Sequence, residues 1–155
     1  MKNFFIFILL ILFPNLLFSQ EIDFIEYDLD NGMHVILHRD PSVPLVVTSV
    51  MYHVGAKDED PERTGFAHFF EHLLFEGTKN IPKGEFMKIV ERNGGSLNAN
   101  TSNDRTYYYE FFPSNKLELG LWLESERLMH PVIDQKGVET QNEVVKEEKR
   151  LGVDN

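Results

Sequence analysis

Gly65-Phe66-Ala67-His68-Phe69-Phe70-Glu71-His72-Leu73-Leu74-Phe75 is the stretch on which the reading of this chain turns. From Phe66 to Phe75 seven of ten residues are apolar, and on a helix they cover every face. A helix that is apolar all round is expected to be buried. The three polar residues left are two histidines and a glutamate, in the order His-x-x-Glu-His. Buried polar groups must be paired or must hold something. His68 and His72 are one helical turn apart and share a face, so they can chelate one ion. Glu71 borders the same face.

Outward from this helix, the elements arrange themselves by period and punctuation. Glu76-Gly77-Thr78 closes the helix, with Gly77 expected as a left-handed cap. Upstream, Phe24–Leu29 and Met33–His38 read as strands around an Asp30-Asn31-Gly32 hairpin turn. Leu45–Val54 is rich in β-branched residues and apolar on both sides, the pattern of a central strand. Downstream, Lys83–Arg92 reads as a second helix and Asn93-Gly94-Gly95 stops it. Ser96–Thr101 and Arg105–Phe112 form a hairpin about Ser102-Asn103-Asp104. A third helix runs from Pro113-Ser114 to Met129, with Leu117, Leu121, Trp122 and Leu128 as its apolar residues, and His130-Pro131 breaks it. A fourth spans about Asp134 to Leu151, with no cap evident before Asn155. The order is hairpin, strand, two helices, hairpin, two helices. It predicts an α+β fold, a largely antiparallel or mixed sheet with helices packed on one face.

Composition narrows the chemistry. There is no cysteine among the 155 residues, so disulfides and thiolate metal sites are excluded. The formal charge of −10, without a basic cluster, argues against nucleic acid and gives no support for binding anionic membranes. Met1-Lys2-Asn3 is a short basic start, followed by the apolar run Phe4–Phe13 and then Leu16-Leu17-Phe18. Ser19 offers a small residue for cleavage. The apolar run is short for a membrane span, which takes about 20 residues. Residues 1–19 are therefore expected to be a signal peptide, and residues 20–155 to be exported to the periplasm or the medium, with no membrane contact after cleavage.

Imidazole nitrogens suit zinc, and a catalytic zinc keeps three protein ligands with one open position. The third ligand must come from outside the helix. His34, His38, His53 and His130 are candidates, as are the acids of the last helix. There Glu148 has Val144, Val145 and Leu151 as helical neighbours and falls on the apolar stripe. Glu147 has Glu143 and Arg150, the pattern of a solvated face. Glu148 is the better placed of the two. Glu71 is close enough to take a proton from water activated by the ion and return it to a leaving amine, the chemistry of a metallopeptidase.

His68-Phe69-Phe70-Glu71-His72 resembles the inverted zinc-peptidase motif. Three motifs in order and spacing resemble the pitrilysin, insulin-degrading enzyme and mitochondrial processing peptidase family. They are Val54–Glu59 through Gly65–Thr78, Gly94-Gly95-Ser96-Leu97-Asn98-Ala99-Asn100-Thr101, and Val144-Val145-Lys146-Glu147-Glu148. The resemblance implies one Zn2+ per chain held by His68, His72 and Glu148, which lies 76 positions after His72, with Glu71 as catalytic base. It also implies that Leu97, Asn98, Ala99, Asn100 and Thr101 form an edge strand on which peptide substrates add. Asn100 departs from the residue many members carry there.

Family members enclose substrate between two related halves, the second carrying an Arg-Tyr pair. Nothing in this chain corresponds to that pair. The expectation is an incomplete N-terminal catalytic domain of a zinc endopeptidase acting on peptides or small unfolded polypeptides. It would be inactive without a second half-domain or a partner subunit. The alternative is a non-catalytic subunit of a two-chain peptidase that binds zinc or peptide without turnover.

Overall fold

The computed structural model describes residues 22–152. The expected signal peptide lies outside them. The described residues form two units, one ending at Val43 and one beginning at Pro44.

In the first unit β1 (Phe24–Asp28) and β2 (His34–His38) pair antiparallel, with Tyr27 opposite Val35. The Asn-Gly signal delivers the turn: the Gly32 N–H donates to the Leu29 carbonyl at 2.8 Å, and Asn31 Oδ1 accepts from the Met33 N–H.

The second unit contains β3 (Leu45–Tyr52), α1 (Phe66–Leu73), α2 (Phe86–Arg92), β4 (Ser96–Thr101), β5 (Thr106–Pro113), α3 (Leu117–Met129) and α4 (Gln135–Leu151). The three strands form an antiparallel sheet in the order β3-β5-β4, with Thr48 and Leu97 both opposite Glu110. Along β5 Thr106, Tyr108, Glu110 and Phe112 are buried, while Phe111 is exposed. The period of two puts one side of the strand inward. On that side α1 and α2 pack against β4, α3 packs against β3 and β5, and α4 packs on α1. Ile81, Phe86, Val90, Phe112 and Leu123 make the core. The architecture is α+β, as the element order predicts. Among the described residues no helix is long and apolar enough to cross a membrane.

Several expectations are corrected by the packing. β3 is an edge strand of this sheet, not a central one, and Leu45, Val47 and Met51 are exposed. The longest continuous alternation of buried positions belongs to β5, which takes the centre. Helix α1 is not enclosed: Phe66 is 50% and Phe70 48% exposed, lining an apolar cavity of about 560 Å3 with Leu74 and Tyr108. The helix ends at Leu73, before Gly77. Gly77 has φ +148° and serves a close approach instead, since a Cβ there would stand 2.9 Å from the Ile81 carbonyl oxygen. Helix α2 begins only at Phe86, because residues 82–85 close a turn in which the Glu85 N–H donates to the Pro82 carbonyl. Helix α4 does carry a cap: Gly152 ends it in a left-handed conformation.

Helix α3 departs furthest from its pattern. Leu117, Leu121, Trp122 and Leu128 are exposed, whereas Gly120, Leu123, Glu124, Glu126 and Arg127 are buried. Gly120 explains part of this. A Cβ at that position would sit 2.5 Å from Thr48 Oγ1, so only glycine lets α3 lie this close to β3. The rest is a charge network with Arg127, 1% exposed, at its centre. Its Nε donates to Glu124 Oε1 and its Nη2 to Glu110 Oε1, both at 3.0 Å. Nη1 reaches the Leu74 carbonyl just past α1 at 3.4 Å. The guanidinium also lies 4.3–4.4 Å from the ring centres of Phe75, Phe86 and Tyr108.

Two carboxyls share that one guanidinium. Burial first, and then Glu124, push Glu110 up to about 8, against the opposing pull of Arg127 and the Thr48 hydroxyl. Its ordinary value is 4.5. Between 4.5 and about 8 the folded chain therefore holds a proton that the unfolded chain has lost. Stability from this group is complete below the lower value and is lost as pH rises through the upper one. The urea midpoint is expected to fall between pH 5 and pH 9, and Glu110→Gln is expected to flatten that fall. An undiminished slope in the variant would assign the effect elsewhere.

Candidate metal centre

His68 and His72 face α4 from adjacent turns of α1. Their Nε2 atoms are 3.1 Å apart. Glu148 Oε2, from α4, lies 3.2 Å from His72 Nε2 and 3.5 Å from His68 Nε2. Three donor atoms of this kind repel one another unless a proton or a cation lies between them. Four-coordinate zinc with ligands at about 2.0–2.1 Å sets neighbouring ligand atoms roughly 3.3 Å apart, from tetrahedral geometry. The observed separations match that edge, and the His, His, carboxylate donor set is one that zinc accepts.

Local structure places each donor. Glu59, in the loop before α1, accepts from the Gly65 and Ala67 N–H groups, both at 2.7 Å, and so fixes the start of the helix. Asp134 caps α4 by accepting from the Gly137 N–H at 2.6 Å. Glu148 is reached by the register of α4, but its surroundings are less apolar than its neighbours in sequence imply. Val144 and Leu151 are exposed, and the Glu148 side chain is 32% exposed. The other candidates go elsewhere. His34 bonds Asp28 at 2.8 Å, His38 the Asp23 carbonyl at 2.6 Å, and His53 Lys57 at 3.0 Å. His130 lies 3.4 Å from Glu126, and Glu147 pairs with Arg150 at 2.9 Å. Among the described residues His68, His72 and Glu148 are the group that could hold a metal ion.

Glu71 is 8% exposed and does not join the three donors. Its Oε2 accepts from the Thr101 hydroxyl at 2.5 Å, and its backbone carbonyl accepts from the Tyr108 hydroxyl at 3.4 Å. Burial holds that phenol well above its ordinary value. One cavity, of about 820 Å3, is lined by His68, Glu71, His72 and Glu148 together with Leu97, Asn98, Ala99, Asn100 and Thr101. Strand β4 is therefore the wall facing the donors. It is an edge strand within its sheet, and Asn98 Oδ1 accepts from the Ala99 N–H at 2.9 Å.

Sequence reasoning placed Thr101 only on the substrate strand, without its contact to Glu71, and missed Gln141 altogether. The Thr101 hydroxyl grips Glu71, and Gln141 Oε1 lies 3.2 Å from His72 Nδ1. Gln141 is two turns before Glu148 on α4, so the i, i+7 spacing on one helix face was the available signal.

A sequence model of the family described as Insulinase (Peptidase family M16) matches residues 34–151. Zinc protease PqqE of Helicobacter pylori is 38% identical over 133 residues, covering 82% of this chain and 29% of its own length. Human insulin-degrading enzyme is 34% identical over 109 residues, covering 70% of this chain and 11% of its own length. The crystal structure of pitrilysin superposes with a TM-score of 0.78 at 26% identity, over 87% of this chain and 14% of that one. The chain thus spans less than a third of the length of each of these relatives.

Proposed function

The chain belongs to the insulinase family of peptidases, M16, and on that footing we propose that it carries the zinc-binding half of a metalloendopeptidase site. His68, His72 and Glu148 hold one zinc ion, and Glu71 is the general base. The observation that carries this reading is the trio of donor atoms 3.1–3.5 Å apart, in one cavity with a separately held glutamate. When bound, zinc supplies Lewis acidity, which makes water a better nucleophile and polarises a carbonyl.

The protein's own groups do the remaining work. Glu71 takes the proton of the attacking water and passes it to the leaving amine. The Thr101 hydroxyl holds one carboxylate oxygen, leaving the other to face the reacting groups. Peptides or small unfolded polypeptides add to the free edge of β4, at Leu97–Thr101. Backbone hydrogen bonds there give affinity with little demand on side-chain identity. The substrate-enclosing half, with its Arg-Tyr pair, is supplied by further chain or by a partner subunit. The apolar N-terminal segment directs export to the periplasm or the medium.

Metal analysis tests the reading. The purified chain is expected to bind about one zinc, and His72→Ala to lose it, because a single histidine and carboxylate make a poor zinc site. Zinc content unchanged in His72→Ala would sink the assignment. Glu147→Gln, altering the neighbour that pairs with Arg150, is expected to leave zinc content unaltered.

A further inference from the structure

Behind His72 runs a chain of polar contacts that ends outside the metal centre. Gln141 Oε1 is 3.2 Å from His72 Nδ1, and Gln141 Nε2 donates to Glu76 Oε1 at 2.5 Å. The Lys83 ammonium sits against Glu76 Oε2. Glu76 is 8% exposed and stands beside Gly137, where an added Cβ would come within 3.2 Å of its Oε2. The three links come from different elements: Gln141 from α4, Glu76 from the turn after α1, and Lys83 from the loop before α2.

The chemistry of the chain has a direction. A carboxylate paired with an ammonium only accepts hydrogen bonds, so Glu76 requires the NH2 end of the Gln141 amide. That fixes the amide, because its two ends cannot exchange without placing oxygen against oxygen. Its oxygen must then face His72 Nδ1. An oxygen accepts only from a protonated nitrogen, so Nδ1 carries the hydrogen. In a neutral imidazole the bare nitrogen is then Nε2, the atom that faces His68 and Glu148. Metal-ligating histidines are commonly oriented in this way by a partner on the far ring nitrogen.

Resting on the metal-site reading above, we propose that Gln141 and Glu76 are positioning residues that set the His72 tautomer before any metal arrives. Glu76, paired with Lys83, fixes the amide orientation, and Gln141 passes that choice to the imidazole. The device also joins α1 to α4, so the two helices that supply the three donors are aligned by the same contacts that select the tautomer.

The test uses the metal-free chain and then zinc alone. Nitrogen-15 NMR of the wild-type imidazoles is expected to report His72 as the Nδ1–H tautomer. Gln141→Leu is expected to populate the other tautomer and to weaken zinc binding, read by chelator competition, by 10- to 100-fold. Glu76→Gln, which removes the obligate acceptor but keeps size, is expected to give a mixed tautomer and a smaller loss of affinity. Combining Gln141→Glu with Glu76→Gln restores an acceptor for His72 and a donor beside it, and is expected to recover both readouts. A merely structural role for Gln141 would not predict that recovery. Wild-type His72 as the Nε2–H tautomer would overturn the proposal, as would zinc affinity unchanged in Gln141→Leu. If the wild-type chain binds no zinc while its His72 tautomer and the variant shifts are as stated, the metal reading fails and the positioning stands.

Discussion

Glu71→Gln is expected to leave about one zinc per chain in place while lowering turnover of an internally quenched peptide by about 10^3- to 10^4-fold. The magnitude comes from proton transfer by a positioned side chain, typically worth about 10^2- to 10^4-fold; the upper part applies because, in the role proposed for Glu71, one group serves as base and then as acid. Glu71 lies outside the donor trio, so the metal has no reason to leave. The substituted amide keeps an oxygen that can accept from Thr101, now bonded at 2.5 Å, so the local fold is preserved. The assay belongs in the protein in its native assembly. Turnover retained in the variant, at unchanged zinc content, would remove Glu71 from the role of base.

Arg127→Ala is expected to destabilise the fold by about 3–5 kcal/mol, the range for removing one partner of a buried ion pair. The loss leaves Glu110 and Glu124 facing each other without their shared cation, and leaves Phe75, Phe86 and Tyr108 around an empty space. Urea unfolding followed by circular dichroism measures it. Arg127→Lys keeps the charge but cannot hold two carboxyl groups in a fork, and it should recover only part of the loss. Replacing both acids, with Glu110→Gln and Glu124→Gln in the Arg127→Ala background, should recover more, because below about pH 8 Glu110 already holds a proton and the charge left on the pair would be buried without a cation, which is the larger cost. Equal stability of Arg127→Ala and the wild type would show that the network contributes nothing net. The Leu74 carbonyl is one of Arg127's acceptors, so the same variant should loosen the end of α1.

The two histidines of the candidate site were legible because their spacing is local. His68 and His72 meet through the period of one helix, and no tertiary contact is needed to see it. The choice of Glu148 over Glu147 also followed from helical position, although its apolar surroundings were overestimated: Val144 and Leu151 remain exposed. The buried side of helix α3 was not legible, for the opposite reason. Its leucines at 117, 121 and 128 and its tryptophan are exposed, and the buried side carries Glu124, Glu126 and Arg127. Partners for those charges come from β5 and from the loop after α1, where Thr78 and Asn80 donate to Glu126 at 2.7 and 2.8 Å. A hydrophobic pattern weighs each residue alone and cannot see a partner many positions away.

By itself the sequence determined the α+β order of elements, the hairpin turns, the pair of histidines on one helix face, and the acid on the last helix able to complete the set. These are matters of period and punctuation, decided within a few turns of chain. Tertiary structure alone decided which strand lies at the centre, which side of α3 is buried, and that Thr101 holds Glu71. It also decided that Gln141 stands between His72 and Glu76. The bonds of Thr101 to Glu71, of Thr48 to Glu110 and of Gln141 to Glu76 and His72 join residues 30 to 69 positions apart, and their energy exists only when the folded backbone has brought both groups out of water together.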